Sequence, residues 1–119
     1  MTTPAVSLNQ EEGIIEIKGK SIPEDSVEFY QPLYDWLDEY SLNPQKETTV
    51  NLAMEYFNTS SSKEFMKFFR KLEDLHAEGK SNVTIRWYHE LDDEEMMDMG
   101  HGLKTECRIP LEVIAIEEF

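Results

Sequence analysis

The stretch ETTVNLAMEYFNTSSSKEFMKFF, residues 47–69, changes its period halfway along. Up to Phe57 it mixes β-branched and apolar residues with partial alternation, the pattern of a central strand. Beyond a run of small polar residues, Phe65, Phe68, Phe69, Leu72 and Leu75 trace one face of a helix that Gly79 closes as a C-terminal cap. Lys63, Glu64, Lys67, Arg70, Lys71, Glu73 and Asp74 fill the other directions of that helix.

The flanking segments extend this strand-to-helix unit in both directions. Val6 to Leu8 and Gly13 to Gly19 read as two short strands joined by a tight polar turn, so the sheet begins with a hairpin. Pro23-Glu24-Asp25-Ser26 carries helix-start chemistry, and Val27, Tyr30, Leu33, Tyr34, Leu37 and Tyr40 then recur at helical spacing. Pro32 lies inside that pattern, where a missing N–H and a ring clash predict a bend or a later start. Asn82 to Tyr88 reads as a further strand. The acidic run Asp92 to Glu95 then suits the positive end of a helix dipole. The pattern that follows is shorter and weaker, with Met96, Met99 and Leu103, and Gly100 and Gly102 make this helix the one most expected to fray or be irregular. Ile109 to Ile116 closes the chain as a strand with Pro110 at its start or on a sheet edge. Strands separated by helices of this length pair in parallel through right-handed crossovers. The expected fold class is therefore α/β, with a mixed sheet, an N-terminal hairpin and three to four helices packed over it.

At 119 residues the chain fits one domain, 1–119. Its apolar runs fall far short of the roughly 20 residues that span a bilayer, and the N-terminus has no basic region leading into an apolar stretch, which predicts a cytoplasmic protein. The 25 acidic and 11 basic residues give a formal charge of -14, which repels phosphate backbones and anionic head groups, so neither nucleic acid nor membrane is an expected partner. A basic protein surface is the complementary possibility. Cys107 is the only cysteine, which excludes an internal disulfide and any zinc site of several thiolates.

Catalytic chemistry finds little support in the motifs. The five glycines form no phosphate cradle, and His76, His89 and His101 stand in no metal-pair spacing. His89, Glu90, Asp92 and Asp93 together read better as a solvated acidic loop than as a hard-cation site. Neither a cofactor nor a metal is expected. The adjacent Met96 and Met97 cannot both face one core, which leaves room for an adaptable partner-binding patch. Trp36 and Trp87 read as core.

Asn58, Thr59, Ser60, Ser61, Ser62 and Lys63 occupy the exit of the central strand and the entry to the clearest helix, where unpaired N–H groups and the helix dipole favour an anion. One helix cap explains one such residue, and here there are five in a row before the lysine. The block YFNTSSSKEFMKFF, with SIPEDSVEFYQPLYDWL upstream and VTIRWYHELDDEEMMDMG downstream, resembles the SiaC family of small bacterial regulatory phosphoproteins. The similarity runs from about the first hairpin through the last strand, with Asn58-Thr59-Ser60-Ser61 as its most specific part.

This resemblance implies a STAS-like fold of the SpoIIAA type and regulatory phosphorylation at the threonine of the N-T-S-S motif, Thr59 in this chain. It further implies a histidine-kinase-like Ser/Thr kinase that adds the phosphate and a PP2C-type phosphatase that removes it. The unphosphorylated form would bind and activate a diguanylate cyclase, raising cyclic di-GMP and promoting aggregation or biofilm. Docking would centre on Asn58, Thr59, Ser60, Ser61, Ser62 and Lys63. The general SpoIIAA pattern places an acidic residue before its phosphorylated serine, whereas this chain has Asn58-Thr59, so Ser60 and Ser61 stand as alternative acceptors. Two other readings stay open: an anti-sigma-factor antagonist in a partner-switching pathway, and a small hydrolase using one of Ser60 to Ser62 with His89 as its base.

Overall fold

The computed structural model describes residues 2–119. Strands β1 (Ala5–Asn9) and β2 (Ile14–Ser21) form the expected antiparallel hairpin, with Ser7 opposite Glu16. Gly13 closes its turn at φ 67, a conformation that disfavours side chains. A Cβ at Gly13 would sit 2.6 Å from the Glu47 carbonyl oxygen and 2.8 Å from the Tyr40 hydroxyl, so this turn must also be bare to pack.

Helix α1 (Ser26–Tyr40) starts behind an Asp25 cap, whose carboxylate accepts from the Glu28 N–H. Its buried face is Tyr30, Leu33, Tyr34, Leu37 and Tyr40, as the spacing predicts, but Val27 is 54% exposed and lies off that face. The helix runs through Pro32 without a delayed start. Proline takes away the N–H that would have bonded the Glu28 carbonyl, and both residues are exposed, so solvent can serve that carbonyl.

Strand β3 (Glu47–Phe57) leads into α2 (Thr59–Ala77), and Gly79, at φ 73, follows the C-cap Glu78. Strand β4 (Asn82–Glu90), helix α3 (Glu94–Glu106) and β5 (Leu111–Ile116) complete the chain. The sheet order is β1-β2-β3-β4-β5, antiparallel only at β1/β2. Each crossover steps the same way along the sheet, so right-handed connections put all three helices on one face. The burial pattern agrees. Ile15, Ile17, Val50, Leu52, Val83, Ile85 and Trp87 are at most 1% exposed and meet the helices, while Glu16, Lys18 and Arg86 of the opposite face are exposed.

One irregularity lies at the end of β3. Gly19 pairs with Met54 but Lys20 pairs with Tyr56, which leaves Glu55 as an extra residue. The bulge reverses the alternation, so Phe57 turns inward against Phe65 and Trp87, at centroid distances of 5.1 and 6.4 Å, and Tyr56 turns outward at 49% exposure.

Helix α3 is the shortest of the three, as expected, but it is regular. It runs for 13 residues through both glycines, and its Asp93 cap accepts from the Met96 N–H. Gly100 is there for packing: a Cβ would lie 2.5 Å from Cδ1 of Trp87, a buried indole held by its own bond to the Met96 carbonyl. Nothing lies within 4 Å of a Cβ at Gly102. Helix propensity favours alanine over glycine by about 1 kcal/mol, while overpacking costs about 1–3 kcal/mol. Urea denaturation should therefore show Gly100→Ala to be destabilised by about 1 kcal/mol or more and Gly102→Ala to be neutral or stabilised. Of the adjacent methionines, Met96 is buried and Met97 is half-buried, consistent with their facing different ways.

Candidate functional site

The bulge, the end of β2 and the N-termini of α1 and α2 meet at one corner. Asn58 is extended, at φ -81 and ψ 175, and caps α2. Its N–H donates to the Ser21 carbonyl at 3.1 Å, which ties the corner to β2. Its side-chain oxygen accepts from the Ser61 N–H at 2.9 Å and from the Ser60 hydroxyl at 3.2 Å. One residue of the polar run is thus a true N-cap. The others are sorted by the helical turn.

Thr59 is the first residue of α2 and is exposed. Ser60 is also exposed, but its hydroxyl lies 2.8 Å from that of Ser26, the first residue of α1. Ser62 is half-buried and Lys63 exposed. Thr59 and Lys63 are four residues apart, so both stand on one face of the helix. Ser61 faces the other way. It is 0% exposed, and its hydroxyl is bonded to the Ser21 hydroxyl at 2.8 Å and to the Ser21 carbonyl at 3.2 Å. This corrects the expectation that Ser61 belongs to the docking surface or serves as an alternative acceptor: it is an internal strut.

Below Ser61 the hydroxyl chain continues through Ser21 to Tyr30 of α1. Burial pushes the Tyr30 phenol above its ordinary pKa, so at neutral pH it keeps its proton and can donate. One turn along α2, Glu64 is only 3% exposed, although the sequence pattern set it among the outward charges. The Tyr34 hydroxyl lies 2.8 Å from the Glu64 carbonyl and 3.1 Å from its carboxylate, and Lys67 reaches the same carboxylate at 3.0 Å. Ser21, Ser26, Tyr30 and Tyr34 are the residues that motif reading passed over. Only the position of Ser26 in SIPEDS hinted at a role, and that hint pointed to a helix start.

The corner can offer hydroxyls and a helix N-terminus, and among the described residues no hydrogen bond links its serines to a histidine. The hydroxyls of Ser21, Ser26, Ser60 and Ser61 bond to one another, to Tyr30, to Asn58 and to the Ser21 carbonyl. His89 is buried, with Nδ1 2.8 Å from the carbonyl oxygen of Glu90. The structure therefore does not join the serines to His89, as the hydrolase reading requires. Among the described residues no group of three or more His, Cys, Asp or Glu side chains could hold a metal, and no helix is long and apolar enough to cross a membrane. Anion accommodation is different. Helix α2 has no acidic residue in its first turn, whereas α1 has Glu28 and α3 has Glu94 and Glu95 there, so the positive end of the α2 dipole is left uncompensated beside Thr59.

Known proteins match this arrangement over nearly its full length. An uncharacterized protein of Pseudomonas aeruginosa is 28% identical over 117 residues, which is 98% of this chain and 92% of the relative. A chain in the crystal structure of the diguanylate cyclase SiaD in complex with its activator SiaC, from the same organism, superposes with a TM-score of 0.90 at 28% identity, covering 97% of this chain and 93% of that one. SiaC of P. aeruginosa, solved in a separate structure, gives a TM-score of 0.86 at 28% identity, with 97% and 92% covered. The five-stranded mixed sheet with its hairpin and three helices is the expected STAS-like fold. The model of the SiaC family regulatory phosphoproteins matches residues 1–116, and the chain belongs to that family.

Proposed function

We propose that this protein is a phosphorylation-controlled activator of a diguanylate cyclase and that Thr59 is the residue whose modification controls it. The observation that carries the reading is the sorting of the corner hydroxyls. Thr59 is the exposed one at the first position of α2 that none of the described side-chain bonds engages, whereas Ser60 is tied to Ser26 and Ser61 is sealed in the core. A kinase needs a hydroxyl it can reach. The activator role is supported by the similarity to SiaC, which activates SiaD in P. aeruginosa.

In this reading the protein is a binding module with no chemistry of its own, and the surface its partner meets is formed by Asn58, Thr59, Ser60, Ser62 and Lys63. Tyr56, turned outward by the bulge, adds apolar area beside them. A histidine-kinase-like Ser/Thr kinase adds the phosphate and a PP2C-type phosphatase removes it, as in the family's best-known setting. The phosphate carries roughly -1.5 to -2 charge at neutral pH and three strong acceptors. The open N-terminus of α2 and the Lys63 ammonium can accommodate it without unfolding the corner.

The test is enzymatic. The unmodified protein, added to a purified diguanylate cyclase of the SiaD type from its own organism, should raise cyclic di-GMP synthesis from GTP, and the Thr59-phosphorylated form should not. Equal synthesis with and without the unmodified protein rejects the activator role.

A further inference from the structure

We propose that the outer face of α2, with the cleft beside it, receives an acidic, partly apolar segment of the output partner. Net charge alone points to a basic partner, but this face points the other way. Residues 56–72 contain a single acidic residue, Glu64, and it is buried at 3% exposure with Lys67 and Tyr34 on its carboxylate. Lys63, Lys67 and Arg70 are exposed on the same stretch. Neither Lys63 nor Arg70 is in an ion pair among the described residues. A chain of charge -14 thus keeps unpaired cations on one helix face.

Helical spacing ties this face to the regulatory threonine. Thr59, Lys63, Met66 and Arg70 stand at i, i+4, i+7 and i+11 of α2, one stripe about 16 Å long. Met66 and Arg70 also line a cleft of about 180 Å³ between α2, the end of α3 and the start of β5, whose apolar lining continues through Phe69, Leu103, Cys107 and Leu111. Burial raises the pKa of the Cys107 thiol, so at neutral pH that side chain adds no charge to the lining. Met66, 41% exposed, sets a flexible apolar side chain at the opening.

A segment with both carboxylates and apolar side chains satisfies the two parts together, because the apolar groups lose water in the cleft while the carboxylates meet Lys63 and Arg70. A nucleic acid backbone has nothing for the cleft. A bilayer surface or a second copy sets its whole charge against -14, whereas one acidic segment sets only a few charges.

The inference rests on the activator reading for the partner's identity and gives the switch a local cause. A phosphate on Thr59 stands one turn from Lys63, engages its ammonium, and puts a dianion on the stripe that the partner's carboxylates must approach.

Two measurements separate the basic face from the switch. In titration of the ¹⁵N-labelled protein, acetyl-Glu-Leu-Leu-Glu-amide should shift amides at residues 62–73, 103–107 and 111, and the double variant Lys63→Gln, Arg70→Gln should bind it at least fivefold more weakly. Absence of shifts, shifts elsewhere, or equal binding by the double variant would overturn the basic face, whatever the cyclase does. Zero-length carbodiimide cross-linking to a diguanylate cyclase of the SiaD type from the same organism should then join Lys63 or Lys67 to a carboxylate of the cyclase, at least tenfold less after Thr59 phosphorylation. Links formed only between this protein's carboxylates and cyclase lysines, or from Lys63 and Lys67 to a second copy of this chain, overturn the proposal but spare the activator reading. Peptide binding at the face with no cyclase binding by wild type supports the face and rejects the cyclase as its partner.

Discussion

Phosphorylation of Thr59 should weaken binding to the diguanylate cyclase about a hundredfold, equivalent to about 3 kcal/mol, while leaving the protein's own melting temperature nearly unchanged. The two halves of this expectation have separate causes. Stability is spared because Thr59 is exposed at the first position of α2, where the dipole favours an anion and no acidic side chain competes for it. Affinity is lost because a hydroxyl can enter an interface and find a partner there, whereas a dianion must first shed its water. It then meets groups arranged for a neutral donor. The overall charge of -14 adds repulsion at long range, but salt screens that contribution beyond about 10 Å, so the local effect dominates. Thr59→Ala should bind like the unmodified protein. Thr59→Glu should fall between the two, about tenfold weaker, because it brings less charge and fewer acceptors. Titration calorimetry on the four forms checks the order, and equal affinities would remove the switch.

A negative charge two residues further along should do the opposite. Ser61→Asp should destabilise the fold by about 3 kcal/mol or more, because a carboxylate in that fully buried position loses its water and gains no cation. It would also deprive Ser21 of a hydroxyl partner within the chain that leads to Tyr30. Thr59→Asp should stay within about 1 kcal/mol of wild type and can be slightly stabilised by the dipole. Urea unfolding of the two variants gives the comparison directly. Similar stability for both would contradict the burial assignment and return Ser61 to the set of possible acceptors.

This contrast between Thr59 and Ser61 was partly written in the sequence. Ser61 lies four residues before Phe65 and seven before Phe68, so it shares the phase of the buried stripe, and extending the helical pattern back to Asn58 would have turned it inward. What lies opposite Ser61 was not readable, because Ser21 and Tyr30 come from elements 40 and 31 positions away, and single-element patterns carry no information about which polar groups meet across a fold.

The strands and helices themselves followed from local chemistry. The Asp25, Asn58 and Asp93 caps, the Gly79 stop and the period changes place their ends closely. The bulge at Glu55 escaped because it is a property of register with β2 and not of β3 alone. Val27 escaped for a related reason. Its spacing suits the apolar stripe of α1, but the helix has only just begun there, and the residue is left exposed to solvent. The regularity of α3 escaped because glycine is ordinarily a weak helix former, and the benefit of leaving Gly100 bare lies on another element, in the indole of Trp87.

In the proposed switch one oxygen atom, the hydroxyl of Thr59, receives the regulatory phosphate. Incubation of the full chain with its cognate kinase and ATP, followed by phosphopeptide mapping by mass spectrometry, measures this directly. A single phosphate on Thr59 is expected, and none on the Thr59→Ala variant. Phosphate on Ser60 or Ser62, or full labelling of Thr59→Ala, would contradict it.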